Sequence, residues 1–481
     1  MNTKLSSKID NFNLDIAKGL TPFEYLRVYC EEANEAPAYP IEHSKPEVIE
    51  AFNRTHSIVQ QGGKTWVCER ETDHKGNTGY IFSAVPQKRQ LYANLNYFYQ
   101  DGKNQTKTAN CFDLWVKDAK RNTFLGVVFD PTNKADSRFL NMWLGFDVEA
   151  VAGDDKLDRI MWHLLHVICN GNQDHFYYLL AWMAQIIQKP ERKSGVCVVL
   201  KSEARGTGKS TVSVLMEKLL GQYAMRIQDS KHLLGAFNSH LANKLFVTVE
   251  EAFWGGSNKD AGKFRTLITD GTITIEAKGK DAIEVDSYHR FLLCTNDDWA
   301  VQAHQQERRF FVLEVSGCKR QNKEYFRELY ADIDAPETIG QLFNFLKHYD
   351  ISPFNLHKAP MTEALQVQIM ESLPSEAEWL QKVLDDGALS DGGKTYSLEK
   401  TEIIPRESFF NSYIVFCDDM KVSGYERKTP KALGKYLKQT LGVVSDGGKV
   451  SESGYRRVNC YKTKPLEEMQ SIFEQHYQYQ Q

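Results

Sequence analysis

The feature that most constrains the fold is a glycine-rich loop between a predicted strand and a predicted helix. Residues 201–211 read KSEARGTGKST, and the residues before them, VCVVL at 196–200, form an apolar run typical of a buried strand. A helix is predicted from Ser210 to Leu220 and ends near Gly221. Strand, glycine loop and helix is the setting in which backbone amides and a lysine bind phosphate groups.

Each residue of this loop has a predicted task. Lys209 is expected to bind the β- and γ-phosphates of ATP, and the Ser210 hydroxyl to bind Mg²⁺. Glu203 stands where the pattern G-x-x-x-x-G-K-[ST] has its first glycine, so a positive φ there would be strained and its carboxylate would repel phosphate. We nevertheless predict a working site, because the intact part of the loop supplies the amides nearest the phosphates. The predicted nucleotide-binding residues are Arg205, Gly206, Thr207, Gly208, Lys209, Ser210 and Thr211.

Polar side chains end two further apolar runs. LFVTV at 245–249 is followed by Glu250 and Glu251, and FLLCT at 291–295 is followed by Asn296. We predict that Glu250 faces the metal and that Glu251 polarises the attacking water. Asn296 can hold that water and sense the γ-phosphate without adding charge. A solvated strand end and ordinary turn chemistry are the alternatives for these positions.

A pair of arginines lies twelve and thirteen residues after Asn296. Arg308 and Arg309 lie just before the apolar run 310–315. An arginine offered across a subunit boundary can stabilise the charge of a transferring phosphoryl group, and this role implies an oligomer. The alternative is a surface ion pair.

Residues 272–285, TITIEAKGKDAIEV, alternate in hydrophobicity on both sides of a glycine and predict a β-hairpin. Lys278 and Lys280 lie near its tip, where they can contact a DNA backbone phosphate. A solvated turn is the alternative interpretation.

These motifs together carry a resemblance. GTGKST, FVTVEEA, TIEAKGKDAIEV, FLLCTN and ERRFFVLEV, in this order, resemble superfamily-III helicases of the AAA+ class, especially the helicase part of phage and mobile-element primase-helicases related to the poxvirus primase-helicase. The resemblance covers residues 150–320 and extends to the FDP segment at 129–131. It implies a ring, usually a hexamer, that uses ATP and Mg²⁺ to draw single-stranded DNA through its pore, with Lys278 in the place of the hairpin lysine.

The resemblance also implies partners for this chain, but the sequence lacks one motif that the longer members of the family have. The implied partners are single-stranded and forked DNA, copies of the same chain, and a possible separate primase or polymerase. Residues 1–145 contain no Asp-x-Asp or Asp-x-Glu pair with a following histidine, so priming is not predicted for them.

The predicted fold class is α/β, with an AAA+ core between two smaller modules. Short apolar runs alternate with helical ones after residue 190, which favours a mainly parallel sheet flanked by helices. The predicted organisation is an α+β module of unknown role (1–145), a helical hairpin (150–190), the ATPase core (191–350), a connecting segment (351–405), a winged-helix-like module (406–465) and a tail (466–481).

Charge is concentrated near the carboxyl end. The whole chain carries a formal net charge of −4, yet residues 421–464 contain eleven Lys and Arg against three Asp and Glu. Two predicted helices followed by a basic hairpin favour a winged-helix DNA-binding module, with a merely soluble basic face as the alternative. The predicted DNA contacts there are Lys431, Lys435, Lys438, Arg456 and Arg457.

Composition excludes several classes of protein. No apolar run is long enough to span a membrane and the first fifteen residues lack an apolar signal core, so we expect a cytoplasmic protein, in a bacterial host if a phage encodes it. Nine scattered cysteines without a C-x-x-C pair are expected to be reduced and mostly buried.

Two other functions stay open at this point. One is an ATPase that remodels or senses nucleic acid without unwinding it, in defence or packaging. The other is an origin-binding protein whose ATP site controls assembly. A small-molecule kinase would leave the hairpin, the asparagine and the arginines unexplained.

Overall fold

The computed structural model describes residues 45–72, 78–103, 105–235, 237–250, 258–276, 282–297, 300–303, 307–452 and 456–477. Within these ranges, strands and helices follow the apolar patterns of the sequence. No helix in them has both the length and the apolar character that crossing a membrane requires. The eight cysteines that they contain are free, and all except Cys318 are buried.

The N-terminal module is mixed α/β. Its elements are α1 (Lys45–Thr55), β1 (His56–Gln61), β2 (Lys64–Thr72), β3 (Thr78–Ala84), α2 (Val85–Leu91), β4 (Asn96–Gln100), β5 (Thr106–Asn110), α3 (Cys111–Lys117), β6 (Thr123–Phe124), β7 (Gly126–Val128) and β8 (Phe139–Asn141). Four strands form a sheet in the order β3-β2-β1-β6. Phe52, Phe112 and Trp115 are fully buried and pack against one another in the core beside it.

A helical hairpin leads from this module into the next. Helix α4 (Asp158–Trp162) continues directly as a π-helical segment, His163–Ile168, and α5 (Gln173–Gln188) returns. The turn between them uses left-handed backbone, with φ of 49° at Asn170 and 81° at Gly171. Asn172 then caps α5, because its side chain accepts a hydrogen bond from the amide of His175.

The central module contains a parallel sheet, as predicted. Its elements are β9 (Cys197–Lys201), α6 (Ser210–Leu220), β10 (Ala224–Ile227), α7 (Ser230–Leu234), β11 (Phe246–Glu250), α8 (Asn258–Thr269), β12 (Thr272–Ile275), β13 (Ile283–Asp286), β14 (Arg290–Thr295), β15 (Phe310–Glu314), α9 (Lys323–Asp334) and α10 (Pro336–His348). Five strands lie in the order β10-β11-β14-β9-β15, and every neighbouring pair is parallel.

Both faces of this sheet are covered, which explains why its strands are apolar without alternation. Val198 and Leu292 pack with the helical hairpin, α6, α9 and α10 on one face. Val199 and Leu293 pack with α8 and the β12–β13 hairpin on the other. Each of these four side chains is fully buried, and burying one such side chain contributes roughly 1.5–3 kcal/mol. The sheet is therefore a rigid support for the loops at its ends.

The C-terminal module combines helices with a small antiparallel sheet. Helix α11 (Glu363–Glu371) precedes it and packs Leu365 and Ile369 into the core of the central sheet. The elements of the C-terminal module are α12 (Ser375–Asp385), β16 (Ala388–Ser390), β17 (Thr395–Ser397), β18 (Ile403–Pro405), α13 (Arg406–Asp419), α14 (Pro430–Lys435, continuing as a π-helix over Tyr436–Leu441), β19 (Val444–Glu452), β20 (Arg456–Thr463) and α15 (Leu466–Tyr477). Strand β20 lies between β18 and β19.

The structure differs from the expected connecting segment at 351–405. This stretch contains α11 and α12, and the buried core of the C-terminal module begins at Leu373 and includes Trp379. Helix α15, in the segment expected to be a tail, adds Met469 and Phe473 to the same core. The many acidic residues of 363–386 hid the apolar positions, which lie at helical spacing on one side of α12.

Candidate nucleotide site

The glycine loop lies between the end of β9 and the start of α6, at the carboxyl edge of the parallel sheet. Gly206 and Gly208 have φ values of 76° and 101°, which only glycine adopts without strain. Glu203 is exposed and is not among the residues with positive φ, so its position does not require glycine. The strain expected at Glu203 is therefore absent.

Lys209 is held inside the loop by neutral oxygen atoms. Its Nζ lies 2.6 Å from Oδ1 of Asn296 and also donates a hydrogen bond to Oγ of Ser202. Ser202 in turn lies 3.1 Å from the Thr207 hydroxyl, across the loop. Burial lowers the pKa of Lys209. Two uncharged groups, the Asn296 amide and the Ser202 hydroxyl, thus position the lysine. Neither of them would become an unpaired charge if the ammonium group moved to another partner.

Strand order explains why Asn296 reaches Lys209. Strand β14 lies between β9 and β11, with Thr295 opposite Lys201 and Cys294 opposite Glu250. Because the strands are parallel, their carboxyl ends meet at one edge, and Asn296 follows directly after Thr295. Lys209 therefore lies in the loop that follows β9, Asn296 directly follows β14, and Glu250 is the last residue of β11. All three residues lie at the same edge of the sheet.

Glu250 is half-buried and paired. Its Oε1 lies 2.8 Å from the Arg226 guanidinium, which also lies 2.9 Å from Glu217. Burial opposes the charge of Arg226, but Glu217 and Glu250 outweigh it and raise the arginine pKa. Sequence reasoning missed Arg226 and Glu217. An arginine one residue before the end of a short strand, AMRI, was the available signal.

Two hydroxyl groups begin helix α6. Ser210 is exposed, whereas Thr211 is fully buried and its Oγ1 has no hydrogen-bond partner among the described residues. An orphaned hydroxyl at a helix amino terminus fits a phosphate ligand. The described ranges contain no group of three His, Cys, Asp or Glu side chains placed to hold a metal. Ser210 and Glu250 carry oxygen atoms, the donor type that Mg²⁺ prefers.

The paired arginines lie at the other end of the sheet. Arg309 immediately precedes β15, and its carbonyl accepts a hydrogen bond from the first residue of β9, Cys197, at 2.7 Å. Five residues of strand, roughly 16 Å, separate that end from the glycine loop. Neither arginine is brought to Lys209 of its own chain.

Arg308 and Arg309 also differ from each other. Arg309 lies 3.3 Å from the buried carboxylate of Glu307, which Arg265 approaches at 3.8 Å. Arg308 is exposed, and its guanidinium makes no ion pair with a described residue. It borders an open cleft of about 1160 Å³ beside the turn of the helical hairpin. Arg308 is the arginine whose side chain can reach outward.

The predicted hairpin is present as β12 and β13, paired antiparallel from Thr272 opposite Asp286 to Ile275 opposite Ile283. Two anchors hold it, the first of them at the end of β12 that leads to the tip. Asn238 accepts from the amide of Glu276 and donates to the carbonyl of Thr274, both at 2.8 Å.

The second anchor is the half-buried amino group of Lys193. Lys193 Nζ donates to the carbonyls of Leu267 and Asp270 and to the Ser287 hydroxyl, at 2.6, 2.8 and 2.8 Å. It therefore ties the end of α8 to the residue that follows β13. Sequence reasoning missed both anchors because neither forms a local pattern.

In the C-terminal module, Lys431, Lys435 and Lys438 are exposed on α14 and its continuation. Lys438 lies 3.6 Å from Asp446, which also pairs with Arg406 at 3.1 Å. Arg457 is exposed on β20, and Arg456 begins that strand.

Some of the predicted site residues lie outside the described residues. These are Glu251 and the two hairpin lysines, Lys278 and Lys280.

Comparisons with known proteins place the site region in context. A family described as of unknown function (DUF5906) matches residues 200–309, from the end of β9 to the arginine pair. The DNA primase-polymerase of Nitratiruptor phage NrS-1 is 24% identical over 254 residues, which are 52% of this chain and 34% of that protein. The chain thus spans about a third of the length of this curated relative.

Solved structures show the fold. The A form apo structure of the NrS-1 C-terminal region matches with a TM-score of 0.61 at 16% identity, over 86% of this chain and 98% of that one. A second apo structure of that region matches with a TM-score of 0.60 at 17% identity, over 88% and 100%. The chain has the mixed α/β fold with a parallel sheet that is found in the NrS-1 C-terminal region.

Proposed function

We propose that this chain is an ATP-driven translocase on single-stranded DNA that works as a ring helicase in the replication of a phage or mobile element. The proposal includes an AAA+ core and a winged-helix-like C-terminal module. The observation that carries it is the contact of 2.6 Å between Lys209 and Asn296 at the carboxyl edge of the sheet, next to the strand that ends in Glu250.

This arrangement suits hydrolysis of a nucleoside triphosphate. A phosphate chain in the loop would replace Asn296 and Ser202 as partners of the Lys209 ammonium. The Asn296 amide would then be free to orient a water molecule and to report whether a γ-phosphate is present. Bound Mg²⁺ would neutralise charge on the phosphates, with Ser210 and Glu250 as its protein ligands.

The remaining catalytic groups complete the proposal. Glu251 would polarise the attacking water, and Arg226 would hold Glu250 in place through the pair at 2.8 Å. Arg308 would act on the site of a neighbouring subunit, because it lies at the opposite end of the sheet from its own Lys209. Such a site needs at least two copies of the chain, which a ring provides.

The hairpin would couple hydrolysis to DNA movement. Its base is fixed to α8 through Lys193, and α8 begins eight residues after Glu250. A change at the nucleotide edge therefore has a short covalent and hydrogen-bonded route to the hairpin, whose Lys278 and Lys280 would contact backbone phosphates. The exposed basic residues of α14 and β20 would bind duplex DNA near the fork.

The relative supports the biological setting. Its name, DNA primase-polymerase, belongs to a phage protein, and the structures matched here are of that protein's C-terminal region. We infer a role in phage DNA replication from this likeness, with priming or polymerisation supplied by another protein or segment.

The test is ATP hydrolysis with and without single-stranded DNA, together with unwinding of a forked duplex by the same samples. Lys209→Ala should reduce hydrolysis by about 10²–10³-fold, because a cation aimed at the phosphates is lost. Lys278→Ala should keep basal hydrolysis and lose unwinding. Lys347→Ala, which removes an exposed lysine on α10, is the matched control and should change neither activity.

The possible results separate the alternatives. Hydrolysis by wild type without unwinding, with Glu251→Gln as the hydrolysis-deficient control, would indicate a remodelling ATPase instead of a helicase. DNA binding without turnover would indicate an origin-binding protein. If single-stranded DNA does not change the rate of ATP hydrolysis and no forked duplex is unwound, the proposal is wrong.

A further inference from the structure

A buried histidine from the helical hairpin contacts the glycine loop from outside the proposed catalytic site. His163 is fully buried at the start of the π-helical segment. Its Nε2 lies 3.2 Å from the carbonyl oxygen of Gly208, and its Nδ1 lies 2.9 Å from the hydroxyl of Tyr325 on α9. A π-helical turn is rare and is frequently found at functional sites.

The partners fix the tautomer of this ring. A carbonyl oxygen only accepts hydrogen bonds, so Nε2 must carry the proton and donate to Gly208. Burial lowers the pKa of His163 to about 4, so the ring is neutral at pH 7. Nδ1 is therefore an acceptor, and the Tyr325 hydroxyl must donate to it. Tyr325 thus selects the tautomer that binds the loop.

The contact is tight enough to explain the glycine. A Cβ atom at position 208 would lie 2.6 Å from Cε1 of His163 and 2.9 Å from Cε1 of Phe326. Glycine is therefore favoured at position 208 for two reasons, the φ of 101° and the close approach of the His163 ring.

The carbonyl that His163 binds controls an amide of the loop. The Gly208 carbonyl and the Lys209 N–H belong to one planar trans peptide, so they point in opposite directions. Holding the carbonyl toward His163 and the Thr211 amide, which donates to it at 3.1 Å, turns the Lys209 N–H away from them. The amide of Gln321 binds the Gly206 carbonyl at 3.3 Å and fixes the Thr207 N–H in the same way.

We propose that His163, oriented by Tyr325, is a positioning residue that holds the backbone of the glycine loop in its phosphate-binding form. The ligand class is the polyphosphate of a nucleoside triphosphate. The inference rests on the proposed nucleotide site and adds to it a dependence on the helical hairpin. His163 does not touch the nucleotide and acts only through the peptide between Gly208 and Lys209.

The test measures affinity of the full chain for a fluorescent ATP analogue with Mg²⁺. His163→Leu removes the donor and should weaken binding by about tenfold, the effect of losing one hydrogen bond to a buried group. His163→Gln can place an amide N–H near the position of Nε2 and should restore affinity to within about threefold. Tyr325→Phe, which removes the tautomer-selecting hydroxyl, should give an intermediate loss.

The matched control is a second buried histidine in the N-terminal module. His56 is also fully buried, with a tyrosine hydroxyl 3.0 Å from its Nε2, and it contacts no part of the loop. His56→Leu should lower the thermal unfolding midpoint without weakening binding. If His163→Leu fails to fold, Tyr325→Phe and His163→Gln decide the matter.

The outcomes distinguish the two proposals. If wild type binds no nucleotide, the proposed ATPase fails and the positioning role fails with it. If wild type binds and the His163 and Tyr325 variants bind equally well, only the positioning role fails, and His163 is a packing residue. Loss in His163→Leu with recovery in His163→Gln supports the role.

Discussion

At the scale of single residues, the proposed site depends on neutral side chains placed beside a lysine. Asn296 and Ser202 both accept from Lys209, and neither carries charge. A carboxylate at either position would bind the lysine more strongly and compete with phosphate for it. The amide at position 296 therefore keeps the lysine available.

Replacing Asn296 tests this idea. Asn296→Asp should weaken ATP binding by at least about tenfold, because a charged hydrogen bond to Lys209 gains roughly 1.5–3 kcal/mol and the added charge repels phosphate. Asn296→Ala should keep binding within about threefold and lose hydrolysis instead, since no lysine-trapping charge is introduced. Titration with a fluorescent ATP analogue and steady-state hydrolysis give both quantities. Equal binding by wild type and Asn296→Asp would contradict the explanation.

The sequence predicted the residues that lie within motifs and missed the ones that reach them from elsewhere. Lys209, Glu250 and Asn296 each follow a strand pattern, so their shared edge could be predicted. Arg226, His163 and Lys193 contact the site or the hairpin from 24 to 94 residues away along the chain. No local spacing encodes such contacts, because they arise only when strand order and helix packing are known.

At the scale of elements, the β12–β13 hairpin is the part whose sequence and structure agree most simply. Alternation predicted its strands, and burial of Ile273 and Ile275 against the second face of the sheet explains that alternation. Its orientation was not predictable, since it is set by Asn238 and Lys193. The strands of the hairpin thus follow a regular sequence pattern, whereas its orientation depends on side chains from other parts of the chain.

Loosening the hairpin should separate the two activities. Asn238→Ala removes both side-chain contacts of 2.8 Å, to Thr274 and Glu276, and should destabilise the hairpin locally by about 1–3 kcal/mol. Fork unwinding should fall by at least about fivefold while basal ATP hydrolysis stays unchanged, because the hydrogen bonds of Asn238 go to Thr274, Glu276 and Leu241 and none of them reaches the glycine loop. Hydrogen exchange at residues 272–276 would report the loosening. If hydrogen exchange shows a loosened hairpin and the variant still unwinds forked DNA at the wild-type rate, the proposed coupling between the nucleotide site and the hairpin is wrong.

At the scale of the whole molecule, burial of neutral histidines sets a limit on acid stability. His56, His163 and His289 are all buried, and burial lowers each pKa to about 4 from 6.5. His56 has Glu69 and Lys88 as charged neighbours, and His289 has Lys193 and Arg290. The unfolded chain binds more protons than the folded one between these two pH values.

Stability should therefore fall as pH drops from 6.5 toward 4. Each histidine costs on the order of 2 kcal/mol by pH 5, because a depressed folded-state pKa favours the protonated, unfolded chain there. Thermal unfolding midpoints at pH 7, 6 and 5 give the slope. His56→Gln should flatten the slope for the N-terminal module, and an unchanged slope would show that His56 does not contribute.

Assembly can be tested by mixing two inactive variants. Arg308→Ala should lower hydrolysis by about 10³-fold, the effect of losing an arginine that stabilises the transferring phosphoryl group. Lys209→Ala keeps its Arg308 and lacks a working site. Mixed in one ring, the two variants should regain part of the wild-type rate, since one supplies the arginine and the other the site. Failure of the mixture to exceed its components would contradict action between subunits.

The separation of Arg308 from Lys209, one at each end of the parallel sheet, has a consequence for dilute protein. On the proposed mechanism, an isolated chain could hold ATP but would lack the cation that completes turnover. Hydrolysis per chain would then rise with protein concentration and would fall to a residual rate on dilution. A newly synthesised chain would hydrolyse ATP only at this residual rate until enough copies had accumulated to meet on DNA.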